Sequence, residues 1–315
     1  MYFKSPKNQF FILSIGLFFN TSIAHSNDVQ TSFSSAIGYS WFHANELVYD
    51  SAGGRISELN WDSHALTFNA NSDISLSNGW WINLDGTTAL KDNSYMIDYD
   101  WLYPYAPTYA AEDWSHRSIH PDTKLDHHTN LSISLAKNIL NRGNNSYAVE
   151  AGYKYTNTKW TAYGGDITYS VGGFRNYSTT DSSDIAGISY EQWFNTAFLG
   201  ASSKTVIGNF SFKLGVRAGA TINAKDEDYH YLRDLKFVDE FGSVPFLGLN
   251  SNVTYKANNH FSIFGGLDLE HYLRAKGDTT TYSISTGNQL TGVLEDSVGI
   301  DFSSINLKLG MKLNL

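Results

Sequence analysis

Two short stretches concentrate groups able to activate water: Asp98-Tyr99-Asp100-Trp101 and Asp226-Glu227-Asp228-Tyr229-His230. In extended backbone, residues two apart share a face, so Asp98 pairs with Asp100, while Asp226, Asp228 and His230 form one row. A carboxylate beside an imidazole orients the ring and raises its basicity. If the fourth and seventh strands of a barrel faced each other across its mouth, a water between the aspartate pair and the imidazole would make a hydrolase. The same acids also read as solvated loop residues, and pattern alone leaves both readings standing. Other chemistries are excluded more firmly. The chain has no Cys, which removes thiol catalysis and disulfide scaffolds, and it has no Gly-x-Ser-x-Gly elbow. Adjacent His127 and His128 point to opposite faces of a strand, so no metal site is expected there. No metal or organic cofactor is expected anywhere.

The elements that must carry these groups are strands. Lys4 and Lys7 precede an apolar run from Phe10 to Phe19 and the small-residue pattern Ser22-Ile23-Ala24, which reads as a signal peptide over residues 1–24, leaving 25–315 as one mature domain. The run is about ten residues, half of the roughly 20 that a spanning helix needs. Further on, apolar residues recur at every second position. Ile305, Leu307, Leu309, Met311, Leu313 and Leu315 alternate with Asn306, Lys308, Gly310, Lys312 and Asn314, and similar rows run from Tyr147 to Thr156 and from Phe261 to Glu270. One greasy face and one polar face over about ten residues is the pattern of a strand between lipid and a polar lumen. A soluble sandwich would not place charge along so many inward faces.

The fold expected is all-β: a ten-stranded antiparallel transmembrane barrel in an outer membrane, extending beyond the outer leaflet. Its strands are expected near 33–47, 57–71, 78–91, 124–138, 145–165, 184–201, 205–228, 245–256, 260–276 and 296–315. Inner turns fall at Ser77-Asn78-Gly79, Asn141 to Asn144 and Ala257-Asn258-Asn259. Outer connections fall at 48–56, 92–123, 166–183, 229–244 and 277–295. The net charge of -9 argues against nucleic acid or anionic lipid as the main partner and suits cationic substrates.

Further landmarks in order are Glu46-Leu47-Val48-Tyr49, Gly53-Gly54-Arg55 with Leu59 and Trp61, Met96 before the first acid stretch, His120-Pro121-Asp122-Thr123, Ala151-Gly152-Tyr153, Thr161-Ala162 with Gly164-Gly165, and Gly173-Phe174-Arg175. With the two acid stretches, this series resembles the omptins, ten-stranded outer-membrane endoproteases of Gram-negative bacteria, over nearly the whole mature chain. The resemblance implies peptide hydrolysis by an activated water. Asp98 and Asp100 match the family's aspartate pair, which shares a proton because close carboxylates resist double ionisation. Asp228 and His230 match its Asp-His dyad, with His230 as general base. Glu46 and Asp226 match the floor of the pocket for the Arg or Lys before the cut bond, where two carboxylates can fork onto a guanidinium. It also implies a monomer facing the exterior, protein or peptide substrates with basic residues, and lipopolysaccharide as an activator.

The chain departs from that pattern in places. Leu102 to Ser118 is longer than in relatives and carries Pro104 and Pro107, so the acid greeting the residue after the cut bond is either Asp113 or, in a competing alignment, displaced by His116. Of the motif for lipopolysaccharide only Tyr153 is evident; Tyr155, Asn157 and Trp193 stand where relatives carry an acid, an Arg and another Arg. Leu315 ends the chain where barrels usually end in an aromatic. A reading from another class is a silent barrel retained as an adhesin or wall protein. Asn-x-Ser/Thr patterns such as Asn130-Leu131-Ser132 also invite a eukaryotic secreted β-protein, although polar β-chains generate these by chance.

Overall fold

The computed structural model describes residues 30–315; the expected signal at 1–24 lies outside the described residues. The strands are β1 (Thr31–Tyr49), β2 (Arg55–Ser75), β3 (Trp80–Asp100), β4 (His116–Arg142), β5 (Asn145–Tyr169), β6 (Tyr177–Ile207), β7 (Phe210–His230), β8 (Leu235–Phe241), β9 (Pro245–Lys256), β10 (Phe261–Ser283) and β11 (Leu294–Asn314). Each pairs antiparallel with its neighbours, and β1 pairs with β11 from Ser32↔Asn314 to Val48↔Val298, closing the ring. Eleven segments occupy ten positions, because β8 and β9 both lie between β7 and β10. The expected ten-strand count therefore becomes ten places, one filled by a broken strand.

The strands outrun their expected ends. The segment expected at 78–91 continues to Asp100, that expected at 124–138 begins at His116, and the connection expected at 229–244 is a short 3-10 turn, Tyr231–Arg233, followed by β8. The cause is visible in β3. Leu66 pairs with Lys91 and Thr67 with Ala89, leaving Leu90 as an extra residue. A bulge of this kind inverts every side chain beyond it, so a break in alternation resembles a strand end. The expected inner turns do sit between β2 and β3, β4 and β5, and β9 and β10.

The outer wall shows where lipid ends. Phe33, Ile37, Tyr39, Leu66, Phe68, Leu131, Ile133, Leu135, Val216, Leu309 and Met311 are exposed large apolar residues on its lower part. Above them the wall carries ion pairs instead: His43 with Asp62 at 2.7 Å, Arg274 with Asp301 at 2.8 Å, Lys159 with Glu191 at 3.3 Å and Lys236 with Glu227 at 3.0 Å. Apolar groups facing hydrocarbon and charges facing water are what such a boundary requires. The barrel thus projects beyond the membrane.

Inside, the lower half is a polar cavity of about 1000 Å³. Several of its charges are paired: Arg217 with Glu150 at 2.8 Å, Lys312 with Asp73 at 2.7 Å, and buried Lys154 with Glu270. The cavity ends at Phe42 and His128, whose rings lie 4.2 Å apart. Above comes a packed aromatic layer: Phe194 on Tyr272 at 4.1 Å, then Trp61 on Tyr190 at 5.7 Å and Trp160 on Tyr190 at 6.4 Å. All five are essentially inaccessible to solvent. This layer separates the lumen from the outer mouth.

Closure depends on a close approach at the seam. A Cβ on Gly310 would lie 2.2 Å from the Ser35 carbonyl oxygen and 2.5 Å from Ala36 Cβ, so only glycine lets β11 lie against β1 there. Gly310→Val is expected to loosen the seam, so that the compact form seen in unboiled gel samples converts to the unfolded one at a lower temperature than in the parent. Unchanged conversion would show the seam to be tolerant.

Candidate active site

Three inversions of side-chain parity deliver the acids to the interior. In the lower half of β3 the inward row is Asn83, Asp85 and Thr87; beyond the Leu90 bulge it becomes Ser94, Met96, Asp98 and Asp100. In β7 the lower inward row is Ser211, Lys213 and Arg217. Asn195↔Asn223 is followed by Thr196↔Thr221, so a bulge switches the row to Ala224, Asp226, Asp228 and His230. Without it Lys225, Glu227 and Tyr229 would point inward. Opposite this bulge the chain breaks at 242–244, where Val244 N–H donates to Thr221 Oγ1 at 2.8 Å. The break inverts β8 relative to β9 and turns Asp239 inward, directly across from Asp226. Glu46 arrives on β1 without any bulge, in the uninterrupted row Ser40, Phe42, Ala44, Glu46.

The Asp98 and Asp100 row belongs to the third strand, not to the fourth as expected, because β3 survives its bulge. β3 and β7 stand four places apart in a ring of ten, close to diametrically opposed. The two rows are in electrostatic reach: Asp98 feels the charge of Asp228, and Asp100 that of His230. His230 Nε2 lies 2.6 Å from Asp228 Oδ2, with Asp228 buried and the imidazole partly open to the cleft. The His230 ring meets the Phe237 ring edge-on at 5.5 Å.

The aspartate pair is partly open to the cleft yet surrounded by protein. Burial, then Asp100, then Asp228 hold the Asp98 carboxyl well above the ordinary range. Asp100 is also raised by burial, against the opposing pull of Ser57, His116, His230 and Arg233. Two carboxyls in this setting keep a proton between them. Ser57 Oγ stands 3.5 Å from Asp98 Oδ1. Tyr169 borders the pair, and its phenol is pushed up to about 12 by burial first and then by Asp98 and Asp100.

The pocket floor is fully buried. Glu46, Asp226 and Asp239 are each under one-tenth exposed, and Tyr190 donates to Asp226 Oδ2 at 2.7 Å, tying the floor to the aromatic layer. Burial raises Glu46 well above its usual range, followed by Asp228, Asp226 and Asp239; it raises Asp226 in the same sense, followed by Asp239. Asp239 is raised to about 7, chiefly by burial.

All six residues singled out in the sequence therefore meet at the outer mouth: Asp98, Asp100, Asp228 and His230 around the cleft, Glu46 and Asp226 beneath it. Of the two candidates for the far side of the cut bond, His116 lies in register with Asp100, while Asp113 accepts from Thr108 in the outer loop. His127 and His128 do point to opposite faces, His127 toward Asn157 Oδ1 at 2.6 Å on the outer wall and His128 into the aromatic layer. Asp239, Tyr190, Ser57 and Tyr169 were missed. Asp239 had a signal: with Arg233-Asp234 read as a tight turn, the pairing His230↔Leu235 carries Asp239 to Asp226. Asp234 sits at φ 55, which Asp tolerates well.

A closed, lipid-belted sheet with an acid-lined outer mouth defines a Gram-negative outer-membrane β-barrel. The Omptin family profile matches residues 27–315, and the chain belongs to that family of outer-membrane proteases. It is 26% identical over 273 residues to the plasminogen activator of Yersinia pestis, covering 85% of this chain and 84% of that protein. It is likewise 26% identical over 272 residues to the outer membrane protease IcsP of Shigella flexneri, with 85% and 84% covered. Among solved structures it superposes on the outer membrane protease OmpT of Escherichia coli with TM-score 0.81 at 19% identity, covering 92% of this chain and 97% of that one, a likeness of fold.

The raised carboxyls have a consequence for stability. A native carboxyl that holds its proton to higher pH than in the unfolded chain stabilises at low pH, and that contribution is lost as pH rises through the native value. The folded barrel is therefore expected to lose stability from about pH 4 up to about 7 as Asp239 ionises, with Asp226 acting in the same sense. Asp226→Asn is expected to flatten that slope. Thermal unfolding in detergent across this range checks it; a stability that rises with pH over the window would contradict the assignment.

Proposed function

We propose that the chain is an endopeptidase that cuts after Arg or Lys, using a water activated between the Asp98–Asp100 pair and the Asp228–His230 dyad. The observation that carries this reading is the convergence of the two rows from opposite strands at the outer mouth. His230 takes a proton from the water as it attacks the peptide carbonyl. Asp228, 2.6 Å away, holds the ring in place and offsets the imidazolium charge. The aspartate pair, with its shared proton, positions the water and donates toward the developing oxyanion. Collapse of the tetrahedral intermediate passes a proton to the leaving amine. No covalent acyl-enzyme and no metal or organic cofactor enter this scheme.

Glu46 and Asp226 receive the basic side chain before the cut bond, where a guanidinium can bridge both carboxylates. The cleft opens to the exterior, and the mature domain at 25–315 works as a monomer on proteins or peptides with basic residues. Lipopolysaccharide acts on it as an activator through the outer wall. There Lys225 stands 4.3 Å from the Trp193 ring and Tyr153 donates to Asn195 at 2.5 Å, so aromatic and amide groups take places that a purely cationic surface would fill.

The test is turnover of quenched Arg-Arg and Lys-Lys peptides by refolded protein with and without lipopolysaccharide. Cleavage is expected, faster with the glycolipid. His230→Ala is expected to lose about 10²- to 10⁴-fold in kcat. Glu46→Ala should mainly weaken the choice of basic over neutral residues. Equal turnover by His230→Ala would sink the mechanism.

A further inference from the structure

The pocket beneath the cleft holds more carboxylate than a two-acid fork requires. Asp239 enters from β8 directly across from Asp226 of β7. The two carboxyls are buried in register across the β7–β8 pair, each within electrostatic reach of the other, and Thr279 of β10, whose Oγ1 is buried without a partner, borders them. The polar groups that act on this point among the described residues are acidic or neutral: Glu46 from β1, Asp226 and Asp228 from β7, Tyr190 and Gln192 from β6, Asp239 and Thr279. Like charges set directly opposite on adjacent strands destabilise a sheet. Buried oxygens normally find donors. Yet Glu46 Oε2, Asp226 Oδ1 and Asp239 Oδ1 are buried and have no hydrogen-bond donor among the described residues. No Lys or Arg among the described residues forms an ion pair with any of the three, and the imidazole of His230 is engaged by Asp228. Two buried carboxyls that face each other keep a proton on one of them. Three unserved acceptor oxygens around one point match the several N–H groups of a guanidinium better than a lone ammonium.

We propose that Asp239 is the third carboxylate of the pocket for the basic side chain, and that binding of this side chain expels the proton which Asp226 and Asp239 hold between them when the pocket is empty. The proposal rests on the reading of Glu46 and Asp226 given above. Its balance is simple: protonated pocket plus cationic side chain gives the ion-paired complex and one proton released to solvent. Since the expelled proton must leave before the cation can be fully paired, substrate affinity rises with pH through the range where Asp239 ionises, about 7. The Asp98–Asp100 pair lies in the cleft with the reacting groups, so its ionisation acts on kcat, whereas the pocket's acts on KM.

The experiment measures kcat and KM between about pH 5.5 and 8.5, roughly one unit or more on either side of the transition, with lipopolysaccharide. The substrates are an Arg peptide, a Lys peptide and a matched peptide with neutral citrulline at that position. For the parent protein, KM of the Arg peptide is expected to fall by about 30-fold across this range, roughly tenfold per unit below a single-proton transition near 7 and level above it. Asp239→Asn keeps the shape but not the exchangeable proton. Its KM for the Arg peptide at pH 8 should rise by roughly tenfold, the equivalent of losing one charge-assisted contact, and its dependence on pH should be shallower than the parent's. The Lys peptide should lose less. An Asp239→Asn protein whose KM keeps the parent's pH slope, or whose loss lies wholly in kcat, overturns the proposal while leaving the proposed function intact. If the parent cuts the citrulline peptide as well as the Arg peptide, the pocket reading itself fails and takes this proposal with it. Asp239→Ser serves the same comparison should the Asn variant not fold.

Discussion

Everything at the outer mouth depends on the alternation of side chains in a sheet that has no free edge. β1 is hydrogen-bonded to β11 along almost its whole length, so no strand can slide to relieve a misplaced residue. In such a ring a side chain is either inside or outside, and only an extra residue in one strand changes which. The chain uses that freedom at the boundary between its membrane and outer halves. Below the bulges of β3 and β7 the lumen holds basic and acidic groups side by side, Arg217 with Glu150 among them; above the bulges the same strands turn acids inward that strict alternation would have exposed.

Those acids need a dry, rigid floor, and the aromatic layer supplies it. Trp61, Trp160 and Tyr190 stack across the barrel, and Tyr190 both packs in this layer and donates to Asp226. Water from the lumen is kept away from the pocket by the rings beneath. The electrostatic result is a region where carboxyls outnumber cations and stay protonated further up the pH scale than usual. That arrangement is costly for the empty protein and favourable only when positive charge arrives, the logic of a site that binds cations tightly enough to select them.

The two ends of the barrel solve opposite problems with one ring. In the lower lumen Arg217, Lys312 and Lys154 each meet an acid across a polar cavity. At the mouth the acids meet each other. The outer wall above the apolar belt, in contrast, carries ion pairs between strands such as Arg274 of β10 with Asp301 of β11.

Much of this was legible in the sequence, for a physical reason. Alternation at period two follows from the pleat of a single strand, so residues such as Ile305 to Leu313 declared a membrane wall without any knowledge of neighbours, and rows such as Asp226, Asp228 and His230 declared a shared face. The order of landmarks from Glu46 to Tyr231 carried the family. What the sequence could not supply was anything that needs two strands at once. The Leu90 bulge looked like the end of a strand because a bulge is defined by its partner's register, and this misplaced the aspartate pair on a fourth strand. The break at 242–244 hid β8 inside a supposed loop, and with it Asp239. The sequence by itself determined which residues are acids and which of them share a row. Only the tertiary structure decided that the rows of β1, β3, β7 and β8 meet at one buried point, since convergence depends on ring closure and bulge position, which no single strand encodes.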